Sequence, residues 1–142
     1  MATMTTLRAF SRRLIGRTAV RRERGSSSIQ MVMLMPALFS IMFLGMQGAL
    51  YYHARTVAIA AAQEGARVAG GENGTAADGL SAASSFVTDA GGEDVLPGAQ
   101  MTGGRSATTA TVTVTGTSLS VIPGWSPAVS QSASVPVERI TR

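Results

Sequence analysis

The feature that most constrains this chain is a long run of residues without charge. No Asp, Glu, Lys or Arg occurs between Gly25 and Tyr52. Residues 29–52 alone, at ~1.5 Å per residue, make a helix of about 36 Å, which crosses a ~30 Å hydrocarbon core with some tilt. The sequence therefore predicts a transmembrane helix over residues 29–52.

A cleaved secretory signal is the main alternative for an apolar segment near an N-terminus. Such a signal has an apolar core of about 7–15 residues followed closely by a small-x-small cleavage site. The run here is longer, and the nearest match to that site, Ala58 to Ala60, lies beyond Tyr51, His53 and Arg55. A membrane anchor is the better interpretation.

The charges on the two sides of the run predict its orientation. Residues 1–28 contain seven arginines and one glutamate, whereas residues 53–142 contain five arginines and seven acidic residues. Because basic residues stay on the cytoplasmic side, we expect a single-pass protein of the plasma (inner) membrane. Residues 1–28 would be cytoplasmic and residues 53–142 would form an extracytoplasmic domain.

The basic segment leaves two structures open. Leu7, Phe10 and Leu14 alternate with arginines, which fits an amphipathic helix on the anionic inner leaflet and equally a disordered basic tail. Its single aromatic residue, followed by a membrane-like run, does not favour a nucleic-acid binder, which would combine cations with stacking aromatics.

The residues after the run predict an α+β fold. Strong helix formers continue to Gly70 and Gly71, so the transmembrane helix should extend into the domain, with a stripe of small residues along it. A second short helix is predicted from Thr75, as its cap, to about Thr88. Alternation then predicts strands after residue 107 and near residues 129–137, with a further short strand at residues 119–122 before a turn at Pro123 and Gly124. Together these form a small antiparallel β-meander.

The sequence carries few residues suited to catalysis. It has no cysteine and one histidine, His53, next to the apolar run. A lone histidine there is more often an interfacial polar residue than a base or ligand. We therefore expect no enzyme, no cofactor, no metal site and no small-molecule substrate.

The segment from the Arg24-Gly25-Ser26 junction, through Pro36, to the Ala-Gln-Glu-Gly-Ala-Arg sequence ending at Arg67 resembles the TadE-like family. These are pseudopilin-type proteins of tight-adherence (Tad) pili, a branch of the type IV pilus machinery, and the resemblance implies a pilin-like fold. It also implies cutting by prepilin peptidase between Gly25 and Ser26. The fifth residue of the family's mature chain is characteristically Glu followed by an aromatic, whereas this chain has Gln30 and Met31. The sequence leaves open whether the cut occurs.

Helical geometry predicts a packing seam on the apolar helix. At 100° per residue, three residues fall within about 20° of the line through Gln30, and Gly45 lies about 60° away. These three are Ala37, Ile41 and Gly48. Small residues and one amide on a single line are typical of helix association in lipid.

The sequence thus predicts a membrane accessory protein, minor-pseudopilin-like, of a Tad-type pilus or related secretion assembly. It would bind a pilin or another pilus component through its transmembrane helix. The alternative is a membrane-anchored extracytoplasmic binding protein without a pilus role, which would use the Thr/Ser-rich face of the meander against cell-wall glycan or a partner protein.

Overall fold

The structure is a computed structural model that describes residues 23–139, with side chains described from Ser28. The basic segment before residue 23, with its two open interpretations, lies outside the described residues. The chain divides into two units, residues 1–41 and 42–142.

The described elements are two α-helices, a short 3-10 helix and three strands. Helix α1 runs over Glu23–Gly70 and helix α2 over Ala76–Asp89, followed by the 3-10 helix Gly92–Asp94. The strands are β1 (Gln100–Arg105), β2 (Thr109–Thr117) and β3 (Ala128–Pro136), paired antiparallel in the order β1-β2-β3. The predicted α+β class, with a long N-terminal helix, a short helix and a small antiparallel meander, is confirmed and is consistent with a pilin-like fold.

Helix α1 ends where the sequence predicts, and a distant arginine stabilises that end. The Arg105 guanidinium donates hydrogen bonds to the backbone carbonyls of Ala69 (2.8 Å), Gly71 (2.9 Å) and Gly74. Because the last carbonyls of a helix lack intrahelical partners, a cation there satisfies them and complements the helix dipole. The first meander strand is thereby fixed to the end of α1.

Helix α2 begins with a capping box. The Thr75 hydroxyl accepts from the Asp78 backbone N–H at 3.1 Å, and the Asp78 carboxylate accepts from the Thr75 backbone N–H at 3.0 Å. The two side chains thus satisfy backbone donors that helix formation would leave unpaired. The predicted cap at Thr75 is confirmed.

The core of the second unit is built from small side chains on α1. These residues recur at helical spacing and are fully buried: Ala54, Ala58, Ala61, Ala62, Ala66 and Ala69. Where α1 meets α2, a Cβ added to Gly65 would lie 2.7 Å from the Gly79 carbonyl oxygen, and one added to Gly79 would lie 2.6 Å from the Gly65 carbonyl oxygen. The backbones of the two helices touch there, so the predicted small-residue stripe allows a close helix approach.

The sheet covers the same stripe with the apolar face of its middle strand. Ala110, Val112 and Val114 of β2 are buried, and the threonines between them lie on the other face. On that face Thr111 pairs with Ser134 (2.7 Å), and Thr113 with Ser132 (2.9 Å), across β2 and β3. The predicted alternation in both strands is confirmed.

Two features of the meander differ from the sequence prediction. Residues 119–122 are not a strand; they belong to a loop between β2 and β3 (residues 118–127) that turns at Pro123 and Gly124. Strand β1, whose sequence QMTGGR shows no alternation, was not predicted. It is a strand because it pairs along its whole length with β2, from Gln100 opposite Thr115 to Arg105 opposite Ala110.

Candidate functional site

The first unit presents an apolar helical surface. Its described side chains from Ser28 to Ile41 are all exposed, among them Val32 (73%) and Met33 (76%). Within the described residues, the Ser28–Gly70 part of α1 is long and apolar enough to cross a membrane. An 18-residue window of it has a mean hydropathy of 2.0, and none of that window is buried. Exposed side chains of this kind are unfavourable in water and favourable in lipid.

The predicted seam residues are exposed in their respective units. Gln30, Ala37 and Ile41 are exposed in the first unit, and Gly45 and Gly48 are exposed in the second. No atom lies within 4 Å of the position that a Cβ would take at either glycine. A Cβ thus has room at both positions, although Gly48 also lines a groove with residues of the β2–β3 loop, and the seam itself stays a prediction.

Gln47 is the site residue that the sequence did not single out. It is 2% exposed, although it lies inside the predicted transmembrane segment. Its Nε2 donates to the Leu119 carbonyl at 3.1 Å, and its Oε1 accepts from the Val121 backbone N–H at 2.9 Å and from the Ser120 hydroxyl at 3.2 Å. The amide thus holds the β2–β3 loop against α1.

A groove of about 310 Å³ lies between α1 and this loop. The helix contributes Leu44, Gly48 and Tyr51, and the loop contributes Trp125 and Pro127, with Gln47 and Ala128 completing the lining. Trp125, the only tryptophan of the chain, is 49% exposed. The groove is therefore apolar, with an aromatic side chain at its edge.

Two carboxylates of the second unit, Glu64 and Asp78, are hydrogen-bonded to residues three positions away on the same helix or at its cap. Arg67 donates to the Glu64 carboxylate at 2.6 and 2.9 Å, and these bonds hold the pKa of Glu64 below its ordinary value. Hydrogen bonds from Thr75 likewise lower the pKa of Asp78. Both carboxylates serve helix structure. Within residues 28–139, no group of three His, Asp or Glu side chains lies close enough to hold a metal ion.

The candidate processing residues lie near the start of α1. Gly25 and Ser26 are in the first turns of the helix, and Gln30 follows about one turn later. Nothing in the structure tests cleavage between Gly25 and Ser26, so processing stays a prediction.

The exposed apolar part of α1, continued by the same helix into a small α+β domain, fits a single-pass membrane protein of pilin-like fold. Comparison with protein families then gives the more particular result: residues 25–67 match the model of the TadE-like protein family. The family resemblance inferred from the sequence is confirmed over this segment. The comparisons with curated proteins and with solved structures gave no match.

Proposed function

We propose that this protein is a minor-pseudopilin-like accessory protein of a Tad-type pilus or related secretion assembly, anchored by one transmembrane helix. The observation that carries the proposal is the family match over residues 25–67, which begins at the candidate processing glycine and covers the whole exposed apolar segment. The protein acts by helix packing and through its extracytoplasmic domain, and it is not an enzyme.

The packing seam is where we expect a pilin or another pilus component to bind. In lipid, apolar surface alone does not drive helices together, so close backbone approach at small residues and an interhelical hydrogen bond do this instead. Gly45 and Gly48 are open on the surface of α1, and Gln30 supplies the amide. A hydrogen bond from that amide stabilises association by about 0.5–2 kcal/mol.

Cysteine scanning tests the seam, because the chain contains no cysteine of its own. Single cysteines replacing Ala37, Ile41 or Gly48 should give the strongest oxidative cross-links to a co-expressed pilin or to a second copy. Cross-links should be weak on the opposite side of the helix, at Phe39, Met46 and Leu50. Equal cross-linking on both sides would contradict the seam.

A matched pair of substitutions measures the contribution of close approach. Gly48→Ile should weaken co-purification with the partner far more than Met46→Ile. A Cβ at residue 48 would meet no atom within 4 Å in the isolated protein, and equal Tm values for the two variants check that the longer isoleucine side chain leaves the fold intact. If both variants bind equally well, close approach at Gly48 plays no part in association.

Processing is tested by N-terminal sequencing of the protein extracted from membranes. A chain that starts at Ser26 supports the pseudopilin role, and an intact N-terminus supports a permanent anchor. Gly25→Leu should abolish cutting, because a bulky side chain does not fit a site that selects glycine. Gln30→Glu, which restores the acid typical of the family, should leave cutting undiminished.

Orientation is tested with a reporter that is active only outside the cytoplasm. The motivation is the excess of arginine before the apolar run and of acidic residues after it, because basic residues stay on the cytoplasmic side. Fusion after Arg142 should give activity, and fusion after Arg22 should give none. The reverse pattern would refute the orientation.

The second candidate function, an anchored binding protein without a pilus role, depends on the Thr/Ser face of the sheet. The hydroxyls of Thr111 and Thr113 are already hydrogen-bonded to serines of β3, so fewer donors remain for a glycan. Pull-down from membranes discriminates the two functions: pilus components bound to the wild type and lost with Gly48→Ile support the pilus role, and retention on purified cell-wall glycan supports the alternative.

A further inference from the structure

We propose that the β2–β3 loop is a second membrane contact, seated in the headgroup region of the leaflet from which α1 emerges. Trp125 is its anchor, and Gln47 is the residue that holds the loop at that depth. The inference depends on the proposed transmembrane role of α1. Its partner is the lipid surface itself.

The change in burial along α1 locates the loop relative to the apolar helix. In the second unit, Met42, Leu44 and Met46 are exposed, and Gln47 is the first residue of α1 to be buried. The three hydrogen bonds of Gln47 to residues 119–121 therefore place the loop where the exposed apolar surface of this unit ends.

Helix length is consistent with a lipid boundary at the same point. The predicted span of residues 29–52 is about 36 Å long, some 6 Å more than a ~30 Å hydrocarbon core. A span from Ile29 to Met46 is about 27 Å long and matches that thickness. Gln47, the loop and Tyr51 then lie at the interface, with Tyr52 at its outer edge.

The composition of the loop matches an interfacial segment. No charged residue occurs between Arg105 and Glu138. Leu119 (38%) and Trp125 (49%) are exposed, and Val121 and Ile122 are half-buried. Trp and Tyr concentrate at membrane interfaces because they combine an apolar ring with a polar group. Trp125 lies across the groove from Tyr51, so the loop adds tryptophan to the aromatic belt of α1.

The backbone of the loop is also suited to a weakly hydrated environment. Besides the bond from Val121 to Gln47, the Ile122 N–H donates to the Ser120 hydroxyl at 3.1 Å, and the Trp125 N–H donates to the Ile122 carbonyl at 3.2 Å. An unpaired backbone group is costly near lipid, and these internal bonds reduce that cost. The loop can thus approach the membrane without unfolding.

Trp125 makes the test direct, because it is the only tryptophan. The full chain is reconstituted in phosphatidylcholine vesicles that carry bromine at shallow or deep acyl positions. We expect Trp125 emission to be blue-shifted, to be quenched most by the shallow bromines, and to be protected from aqueous acrylamide. Salt should leave the quenching unchanged, because the loop carries no charge.

A double variant distinguishes failure of the loop contact from failure of the transmembrane span. In the double variant Trp125→Phe, Phe39→Trp, the tryptophan reports on the predicted span and should be quenched most by deep bromines. If this variant is quenched but wild-type Trp125 is open to acrylamide and insensitive to bromine, the loop contact is wrong and the span stands. If neither is quenched, the span is wrong and the loop contact fails with it. Protection of Trp125 from both quenchers would show that protein, not lipid, covers the loop, and would overturn the proposal.

The role of Gln47 is tested separately. Gln47→Met keeps the side-chain length and removes the hydrogen bonds to the loop, so shallow-bromine quenching of Trp125 should fall. Gln63→Met is the matched control, because Gln63 is an exposed glutamine of the same helix, and it should behave as wild type. Unchanged quenching in Gln47→Met would rule out the glutamine as the residue that sets the depth of the loop.

Discussion

Replacing Gly79 with alanine tests whether the close contact of α1 and α2 stabilises the domain. In a helix interior, alanine is favoured over glycine by about 0.8–1 kcal/mol, so propensity alone predicts stabilisation. The structure predicts the opposite sign. The new Cβ would lie 2.6 Å from the Gly65 carbonyl oxygen and 2.7 Å from the Ala69 Cβ. Backbone on one side and a fully buried alanine on the other leave neither neighbour a flexible way to move aside.

The expected change in the free energy of unfolding follows from two opposing effects, overpacking and helix propensity. Overpacking of this kind costs about 1–3 kcal/mol, and the propensity gain offsets about 1 kcal/mol of it. Two contacts under 3 Å put Gly79 in the upper part of that range, at about 2–3 kcal/mol, so we expect a net loss of about 1–2 kcal/mol in the free energy of unfolding. For a domain of this size each kcal/mol shifts Tm by about 4–8 °C, so Tm should fall by on the order of 10 °C.

The measurement is thermal unfolding of the full chain in detergent, followed by circular dichroism. Gly104→Ala is the control, because no atom lies within 4 Å of its Cβ position, and its Tm should stay close to that of the wild type. A rise in Tm for Gly79→Ala would refute the reasoning, since it would show that the helices can separate at no cost.

Thr75→Ala should lower the free energy of unfolding by about 0.5–2 kcal/mol, because it removes the N-cap of α2, and its Tm should fall while that of Thr56→Ala, at an exposed helix position, changes less. Arg105→Met should lower Tm by leaving the carbonyls at the end of α1 without their donor, at about 1.5–3 kcal/mol for hydrogen bonds to a charged group, whereas Arg105→Lys should retain part of this stability. The lowered pKa of Asp78 predicts stability that is complete above its unfolded value of ~3.9 and is lost as pH falls through the lower folded value. Asp78→Asn should flatten that acid-side loss in a Tm-versus-pH series, and an unchanged slope would contradict it.

The local sequence pattern was sufficient to predict an element and its buried face wherever one face is buried and the other is not. In β2, Ala110, Val112 and Val114 alternate with threonines. Such period-two alternation is enough by itself to indicate which side chains are buried. The cap at Thr75 and the end of α1 at Gly70 could also be predicted, because capping and helix termination depend on residues close in sequence. The match of residues 25–67 to the TadE-like family likewise depends on local motifs.

Strand β1 could not be predicted in the same way. Its residues QMTGGR have little β-propensity and no apolar period, and two glycines disfavour a strand. The segment is extended because β2 offers it a row of backbone partners, and Gly103 allows close approach to the Thr111 carbonyl. The pairing with β2 therefore makes this segment a strand, and its own residues do not.

The sequence by itself determined the apolar length of α1, the small-residue stripe, the two helices and strands β2 and β3, because each is a property of neighbouring residues. Only the tertiary structure decided the role of Gln47. By sequence it is a polar residue that opposes membrane insertion. In the fold it is buried because a loop 72 or more residues further along the chain supplies the partners for its amide. A buried amide needs such partners, and no local pattern contains them.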